Sequence, residues 1–191
     1  MELPVLIYGD PLLRKKCQSI ADVTEEVRQL VQDLIETMYA RKGAGLAASQ
    51  VGHLVRIFVA CKYVEDPEGH VVLTPPKVYI NPKLSSYSEE VEEAEEGCLS
   101  IPGIRASVVR PHKVTIEALD LDGTPFQEEE TGYNARVLMH ENDHLNGVLF
   151  VDRLDTRTRN KLDPPPPLPQ KEKVTALTEV FLECSLYFAQ F

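Results

Sequence analysis

The segment that most constrains the fold of this chain carries two histidines four residues apart, His140 and His144. On an α-helix this spacing stacks both imidazoles on one face, where they can reach a single cation. Glu141 lies one residue beyond His140, so its carboxylate can stand beside the metal without being a ligand. This arrangement suits a general base that acts on water held by the metal. The pattern therefore predicts a metal-binding helix.

The residues around the two histidines are apolar, which indicates that this part of the helix is buried. The apolar neighbours are Val137, Leu138, Met139 and Leu145. Burying two imidazoles and a carboxylate is unfavourable unless these groups are hydrogen-bonded or bound to a metal. A surface helix with two solvated histidines is the alternative, and the apolar surroundings disfavour it.

The bulk composition excludes several classes of protein. The 191 residues are enough for one domain with a core, and 43% hydrophobic with 26% charged residues is typical of a globular protein. The formal net charge of -10 argues against a direct nucleic-acid surface and against an anionic-membrane surface. No stretch reaches transmembrane length, so no membrane association is expected.

The cysteines and the first residues bear on the compartment. The four cysteines, at positions 17, 61, 98 and 184, form no CxxC pair, which favours thiols over disulfides. The chain opens Met-Glu-Leu-Pro-Val, without the basic start or the long apolar run of a signal peptide. We therefore expect a cytoplasmic location. An organelle enzyme supplied without its transit peptide is also compatible with these features.

Hydrophobic periodicity predicts both helices and strands. Apolar residues recur at three- and four-residue steps from Val27 to Met38, which predicts a helix capped by Asp22 or Thr24 and ended near Gly43. Short apolar runs predict strands at 56–61, 71–73, 78–80, 106–110, 113–119 and 148–151, with a hairpin turn at 120–123. This mixture is typical of an α+β domain.

The C-terminal part has a different composition. The run from Asp163 to Pro169 is rich in proline, which predicts an extended linker at 161–170. Apolar residues from Val174 to Phe191 then recur at helical spacing, which predicts an amphipathic helix at 171–191 that packs on the core or on a partner. Residues 1–160 are the predicted catalytic domain.

Two histidines still need a third protein ligand, and the residues alone leave more than one kind of site open. Metalloproteases of the HExxHxxGxxH type match at Gly147, but their last ligand position holds Phe150, and the nearest later acids are Asp152 and Asp155. Cys98 is the best candidate, because a thiolate is a good ligand for divalent metals. A metallopeptidase and a non-catalytic metal-binding protein are both compatible with this set.

Two further segments are unusual. Residues 43–50, Gly-Ala-Gly-Leu-Ala-Ala-Ser-Gln, carry little side chain, so a backbone or a ligand can approach them closely. The amide of Gln50 could donate a hydrogen bond to a developing oxyanion, although a plain connection between helix and strand is the simpler interpretation. The glutamates of the acidic run 89–96 are expected to face solvent, except Glu96, which directly precedes Gly97 and Cys98.

Three segments taken together resemble a known family. Residues 43–50, 96–100 and 140–144 are similar, in order and near in spacing, to the three signature motifs of peptide deformylase. The resemblance runs from about Leu3 to about Asp155. It implies an α+β fold in which antiparallel β-sheets pack around a central helix that carries the HExxH motif, with an N-terminal and a C-terminal helix. It also implies an enzyme that removes the formyl group from N-formylmethionyl peptides and releases formate.

The resemblance implies a metal and three ligands. Cys98, His140 and His144 would bind one divalent ion, which is Fe2+ in many members of the family. Raw affinity favours later metals than iron, so Zn2+, Ni2+ or Co2+ are possible in a purified sample. Glu141 would then serve first as general base and later as general acid. Gln50 and the backbone N–H of Leu99 would flank the oxyanion.

The resemblance also bears on substrate and partners. Tyr133 and Val137 share a helix face with the first histidine and would line the pocket for the methionine side chain, or else belong to the ordinary core. The backbone at Ala44, Gly45 and Gly97 would contact the peptide, which could pair with the loop as an added strand. In some members a basic C-terminal helix docks on the ribosome. The tail here is apolar with few cations, so only transient contact with the ribosome exit region is expected.

Overall fold

A computed structural model describes residues 1–162 of the chain. The predicted C-terminal helix and nearly all of the predicted linker lie outside the described residues. The helices of the described part are α1 (Glu25–Ala40), α2 (Gly132–Leu145) and α3 (Thr156–Leu162). Its strands are β1 (Gly45–Ala47), β2 (Ile57–Ala60), β3 (Tyr63–Glu65), β4 (Val71–Leu73), β5 (Lys77–Ser85), β6 (Val91–Cys98), β7 (Ile101–Pro111), β8 (Lys113–Leu119) and β9 (Pro125–Thr131).

The first helix begins and ends close to where the sequence predicts. The hydroxyl of Thr24 accepts a hydrogen bond from the backbone N–H of Val27, so Thr24 rather than Asp22 is the cap. Acidic residues occupy the first turn, where they complement the positive end of the helix dipole. The apolar stripe of α1 is buried at Val31, Leu34 and Met38, and this burial holds the helix on the sheet.

The main sheet has five strands in the order β1-β2-β5-β8-β9, and every neighbouring pair is antiparallel. Its two faces are covered by different helices. In β2, Ile57 and Val59 pack in the cluster that includes Leu34 of α1, whereas Phe58 and Ala60 pack in the cluster formed with α2. This alternation follows from the two-residue period of a strand. Both faces of β2 are buried, as its apolar sequence requires.

The second helix lies between the main sheet and a separate hairpin made of β6 and β7. One side of α2 packs on the sheet through Leu138 and Leu145. On the other side Arg136 donates hydrogen bonds to the carbonyls of Val108 in β7 (2.7 Å) and Glu92 in β6 (2.7 Å). The predicted α+β fold with antiparallel sheets is confirmed, and α2 lies between the five-stranded sheet and the β6–β7 hairpin.

One predicted strand is wrong. The run 148–151 was expected to be extended, but a 3-10 helix covers Phe150–Arg153. The apolar side chains of Leu149, Phe150 and Val151 are buried, as the pattern requires. The carboxylate of Asp152 accepts the backbone N–H of Leu149 (2.9 Å), and this cap favours a tight turn over a strand. Short apolar runs do not distinguish the two conformations.

The turn between β6 and β7 is short. It consists of the two residues Leu99 and Ser100, since Cys98 is already opposite Ile101 in the hairpin. The register shifts between Gly97 and Cys98, where residues 102–104 of β7 have no partner in β6. In the part of the chain described, no helix combines the length and apolar content that a bilayer span would need.

Candidate metal centre

Three of the predicted site residues come together where β6 ends beside α2. Cys98, His140 and His144 each offer one ligand atom, and these atoms all lie within 4.8 Å of one another. The sulfur of Cys98 is 3.3 Å from Nε2 of His144. Sulfur and nitrogen ligands around one tetrahedral ion should be roughly 3.5 Å apart, given typical bond lengths. The arrangement therefore fits a divalent metal held by one thiolate and two imidazoles, with one position left for solvent or substrate.

Both histidines are largely buried, and a hydrogen bond fixes the orientation of His140. Nδ1 of His140 lies 2.9 Å from the carboxylate of Glu96, which is only 4% exposed. A carboxylate accepts hydrogen bonds, so Nδ1 of His140 carries the proton and Nε2 is left free to bind a metal. Burial lowers the pKa of His144, which keeps that ring neutral as a ligand must be. The ring of Phe150 stacks on His140 at 6.2 Å between centroids.

Glu96 is held as a carboxylate by its neighbours. Burial by itself would raise the pKa of Glu96, but the Arg110 guanidinium and the His140 ring outweigh it and hold that pKa well below its usual range. Arg136 donates a further hydrogen bond to the same carboxylate (2.8 Å). The acidic run 89–96 thus behaves as predicted at most positions, which are exposed, while its last member points inward.

Glu141 has the environment of a proton-transfer group. It is 4% exposed, and its Oε2 is buried without a hydrogen-bond partner among residues 1–162. Burial raises the pKa of Glu141 to about 7, so that the carboxyl can both accept and release a proton near neutral pH. Gly45 lies against this carboxyl. A Cβ at Gly45 would be 2.5 Å from Oε1 of Glu141, so a residue with a side chain there would displace it.

The amide of Gln50 is oriented by contacts on both of its ends. Its Oε1 accepts the backbone N–H of Ala47 (2.9 Å), so the NH2 group points the other way, toward Ser100 Oγ (3.1 Å) and Cys98 Sγ (3.5 Å). The N-terminal arm braces this region, because the N–H of Leu6 donates to the carbonyl of Gln50 at 2.7 Å. Gln50 is therefore a donor aimed at the same corner as the thiol.

Leu99 follows Cys98 directly, so its backbone N–H is adjacent to the thiol ligand. The side chain packs toward the glycine-rich loop, where a Cβ at Gly43 would lie 2.9 Å from its Cδ1. Small residues at the loop thus allow the β6–β7 turn to approach closely.

The predicted substrate-contacting backbone lies at two strand edges. In the five-stranded sheet β1 is an outer strand, with β2 as its neighbour, so one edge of Gly45 can accept an added strand. The carbonyl of Ala44 is already used, since it accepts the N–H of Cys61 at 2.8 Å. Gly97 is opposite Arg105 in the hairpin, and its other edge faces away from β7.

The two predicted pocket residues have different surroundings. Tyr133 is 46% exposed, and its ring meets that of Tyr63 edge-on at 4.9 Å. Val137 is buried in the cluster between α2 and the sheet, together with Ala47 and Phe58. Tyr133 is thus available to a ligand, whereas the position of Val137 equally suits the ordinary core.

Sequence reasoning missed a network of buried charges behind the ligands. Its members are Glu96, Arg110, Arg136 and Asp143, all of them at most 6% exposed. A weak signal was present, because Arg136 stands in an otherwise apolar helix segment and Arg110 closes an apolar strand. A charged residue at such a position needs a partner, but the sequence does not say which one.

A thiol and two imidazoles that can hold a metal, together with a buried carboxyl and an oriented amide donor, are typical of metal-dependent hydrolases. Comparison with known proteins gives the family. The family model for polypeptide deformylase matches residues 2–160. The chain belongs to the polypeptide deformylase family, whose members are enzymes that remove the formyl group from N-terminal methionine.

Similar proteins are found in several bacteria. The peptide deformylase of Psychrobacter cryohalolentis is 46% identical over 164 residues, which are 84% of this chain and 85% of that protein. The peptide deformylase of Pseudomonas aeruginosa is 44% identical over 160 residues, 84% of this chain and 91% of that one. The chain is therefore a hydrolase of protein biosynthesis that acts on peptides and binds a divalent metal.

Solved structures agree with this placement. The Ehrlichia chaffeensis peptide deformylase in complex with actinonin has a TM-score of 0.77 at 38% identity, over 84% of this chain and 92% of that chain. A Met-ala-ser bound structure of the Acinetobacter baumannii enzyme has a TM-score of 0.74 at 32% identity, over 81% and 99% of the two chains.

Proposed function

We propose that Cys98, His140 and His144 hold the metal of this deformylase and that Glu141 transfers the proton in the reaction. The observation that carries the proposal is the meeting of three ligand atoms within 4.8 Å, next to a buried carboxyl oxygen that has no partner among the described residues. A divalent metal in this site would lower the pKa of water and polarise the formyl carbonyl.

The residues of the chain supply the remaining steps. Water adds to the formyl carbon while Glu141 takes its proton. The amide C–N bond then breaks, and Glu141 returns the proton to the departing amine, so the products are formate and a free N-terminus. A pKa of about 7 suits a group that must do both. The NH2 of Gln50 and the N–H of Leu99 would stabilise the negative charge that develops on the formyl oxygen.

The substrate would lie along the free edge of β1. Its backbone would pair with Gly45 and contact Gly97, while Ala44 contributes less because its carbonyl is already bonded to Cys61. We propose that Tyr133 contacts the methionine side chain, since it is exposed on the helix that carries the histidines. Val137 would support that pocket from the core.

The identity of the metal and the location of the enzyme in the cell are also proposals. We propose Fe2+ as the native ion; zinc, nickel or cobalt would occupy the same thiolate and imidazole ligands. We further propose a cytoplasmic enzyme that meets newly made chains near the ribosome exit region. Metal analysis of protein purified without oxygen tests the first point, and contact with translating ribosomes tests the second.

Formate release from formyl-Met-Ala-Ser tests the proposed site. Acetyl-Met-Ala-Ser is the matched control, because it presents the same peptide with a different acyl group. We expect turnover of the formyl peptide alone, and loss of both metal and turnover in Cys98→Ala. A Cys98→Ala protein that binds metal as tightly as wild type and still deformylates would refute the ligand assignment.

A further inference from the structure

We propose that Arg110 is a positioning residue that clamps the two ligand-bearing elements, β6 and α2, in the arrangement that binds the metal. The inference rests on the proposed metal site and goes beyond it. Cys98 comes from β6, whereas both histidines come from α2, so the distance between thiol and imidazoles depends on how these two elements are joined. Arg110 contacts a carboxylate on each of them.

Each nitrogen of the Arg110 guanidinium is used. Nε and Nη2 donate to the two oxygens of Glu96, at 2.5 and 2.8 Å, which is a bidentate pair. Nη1 donates to Oδ2 of Asp143 at 2.9 Å. The Arg110 side chain is only 2% exposed, so solvent does not screen these interactions.

The two carboxylates stand directly behind the metal ligands. Glu96 is two residues before Cys98 on β6, and it also accepts Nδ1–H of His140 at 2.9 Å. Asp143 immediately precedes His144 on α2. By holding Glu96 and Asp143 at once, Arg110 fixes the position of β6 relative to the turn of α2 that carries the histidines.

Arg153 also holds Asp143, as the last member of this network of charged residues in sequence order. It lies in the 3-10 helix after α2, and both oxygens of Asp143 accept its hydrogen bonds, one of them from Nε at 2.6 Å. Arg153 is 40% exposed, so its contribution is more screened than that of Arg110. Asp143 therefore has a fixed orientation from which to hold Arg110.

Arg136 also joins α2 to the hairpin, but no hydrogen bond of the described residues links it to Asp143. It shares the Glu96 carboxylate, but its other donors go to backbone carbonyls of the hairpin. Within the described structure Arg110 is the residue that joins Glu96 to Asp143 by side-chain hydrogen bonds. A lysine at position 110 would keep the charge but lack the planar fork that reaches both carboxylates.

The test is Co2+ affinity of the full chain, measured by competition with a chelator, together with the visible absorption spectrum of the bound cobalt. For Arg110→Lys and Asp143→Asn we expect about 10- to 100-fold weaker Co2+ binding, as for other residues that orient metal ligands. We also expect an altered cobalt spectrum. Asp143→Asn keeps the shape of the side chain, so it remains informative if Arg110→Lys does not fold.

Leu34→Ala is the matched control for a purely structural effect. Leu34 is fully buried between α1 and the sheet, in a cluster that contains none of the proposed ligands. It should lower thermal stability and leave cobalt affinity and spectrum unchanged. If Arg110→Lys and Asp143→Asn behave like Leu34→Ala, the clamp is refuted. A wild-type chain that binds no Co2+ would instead overturn the metal site itself.

Discussion

Replacing Gly45 by alanine should disable Glu141 without removing the metal. The added Cβ would lie 2.5 Å from Oε1 of Glu141 and 2.8 Å from its Cδ, whereas ordinary contacts begin at 3.4 Å. The carboxyl must therefore move by about 0.9 Å, which is the difference between the ordinary contact distance of 3.4 Å and the 2.5 Å found here. A misplacement of that size costs roughly 100-fold in rate, or about 2.7 kcal/mol in the barrier.

The assay is formate release from formyl-Met-Ala-Ser at saturating peptide, with bound metal measured on the same preparation. Gly123→Ala is the matched control. Gly123 has a φ of +76° and nothing within 4 Å of an added Cβ, so alanine there should cost about 1 kcal/mol of stability and leave kcat unchanged. A Gly45→Ala protein with one bound metal and wild-type kcat would show that Glu141 does not need its observed position.

Three further predictions concern proton transfer, the core and acid stability. Glu141→Ala should retain one equivalent of metal and lose about 10²- to 10⁴-fold in kcat, by metal analysis and the same formate assay; unchanged kcat would exclude Glu141 as the proton carrier. Ile57→Ala should lower the free energy of unfolding by about 2–5 kcal/mol in urea titrations, because Ile57 is fully buried against α1; a loss below about 1 kcal/mol would contradict that packing. Burial opposes ionisation of Glu128, but Lys77, Tyr79 and Lys62 outweigh it and lower its pKa. A carboxyl with a lowered folded-state pKa stabilises the fold above its ordinary pKa of about 4.3 and loses that contribution as pH falls further. The melting temperature of wild type should therefore drop more steeply than that of Glu128→Gln below about pH 4.3, and parallel curves would refute the assignment.

Two of the three proposed ligands could be predicted because their signal is local. His140 and His144 are four residues apart on one helix, and helical geometry alone brings them together. Cys98 was the best candidate for a third ligand from the residues alone, and the resemblance to the family then assigned it. The residues alone could not decide, because the approach of β6 to α2 is a long-range feature. The α+β fold followed from periodicity and turn signals, which gave α1, β2, β4 and β8 to within a few residues. The strands β5 and β7 extend well beyond the predicted runs, and β1, β3 and β6 were not predicted.

The buried charges could not be predicted for a physical reason. Arg110 forms hydrogen bonds with Glu96 across the β6–β7 hairpin and with Asp143 on a helix 33 residues later. Nothing in the sequence marks those pairings. The orientation of Gln50 depends on Ala47 and Ser100 in the same way. The prediction of a strand at 148–151 was wrong because strands and 3-10 helices can share the same apolar pattern. Here the side chain of Asp152 caps the turn and favours the 3-10 helix.

X-ray absorption spectroscopy of the full chain loaded with one equivalent of Co2+ tests the central claim most directly. We expect one sulfur ligand and two imidazole nitrogens, with a remaining light-atom ligand that changes when a peptide is added. A spectrum without sulfur, or one with four protein ligands and no response to peptide, would contradict it.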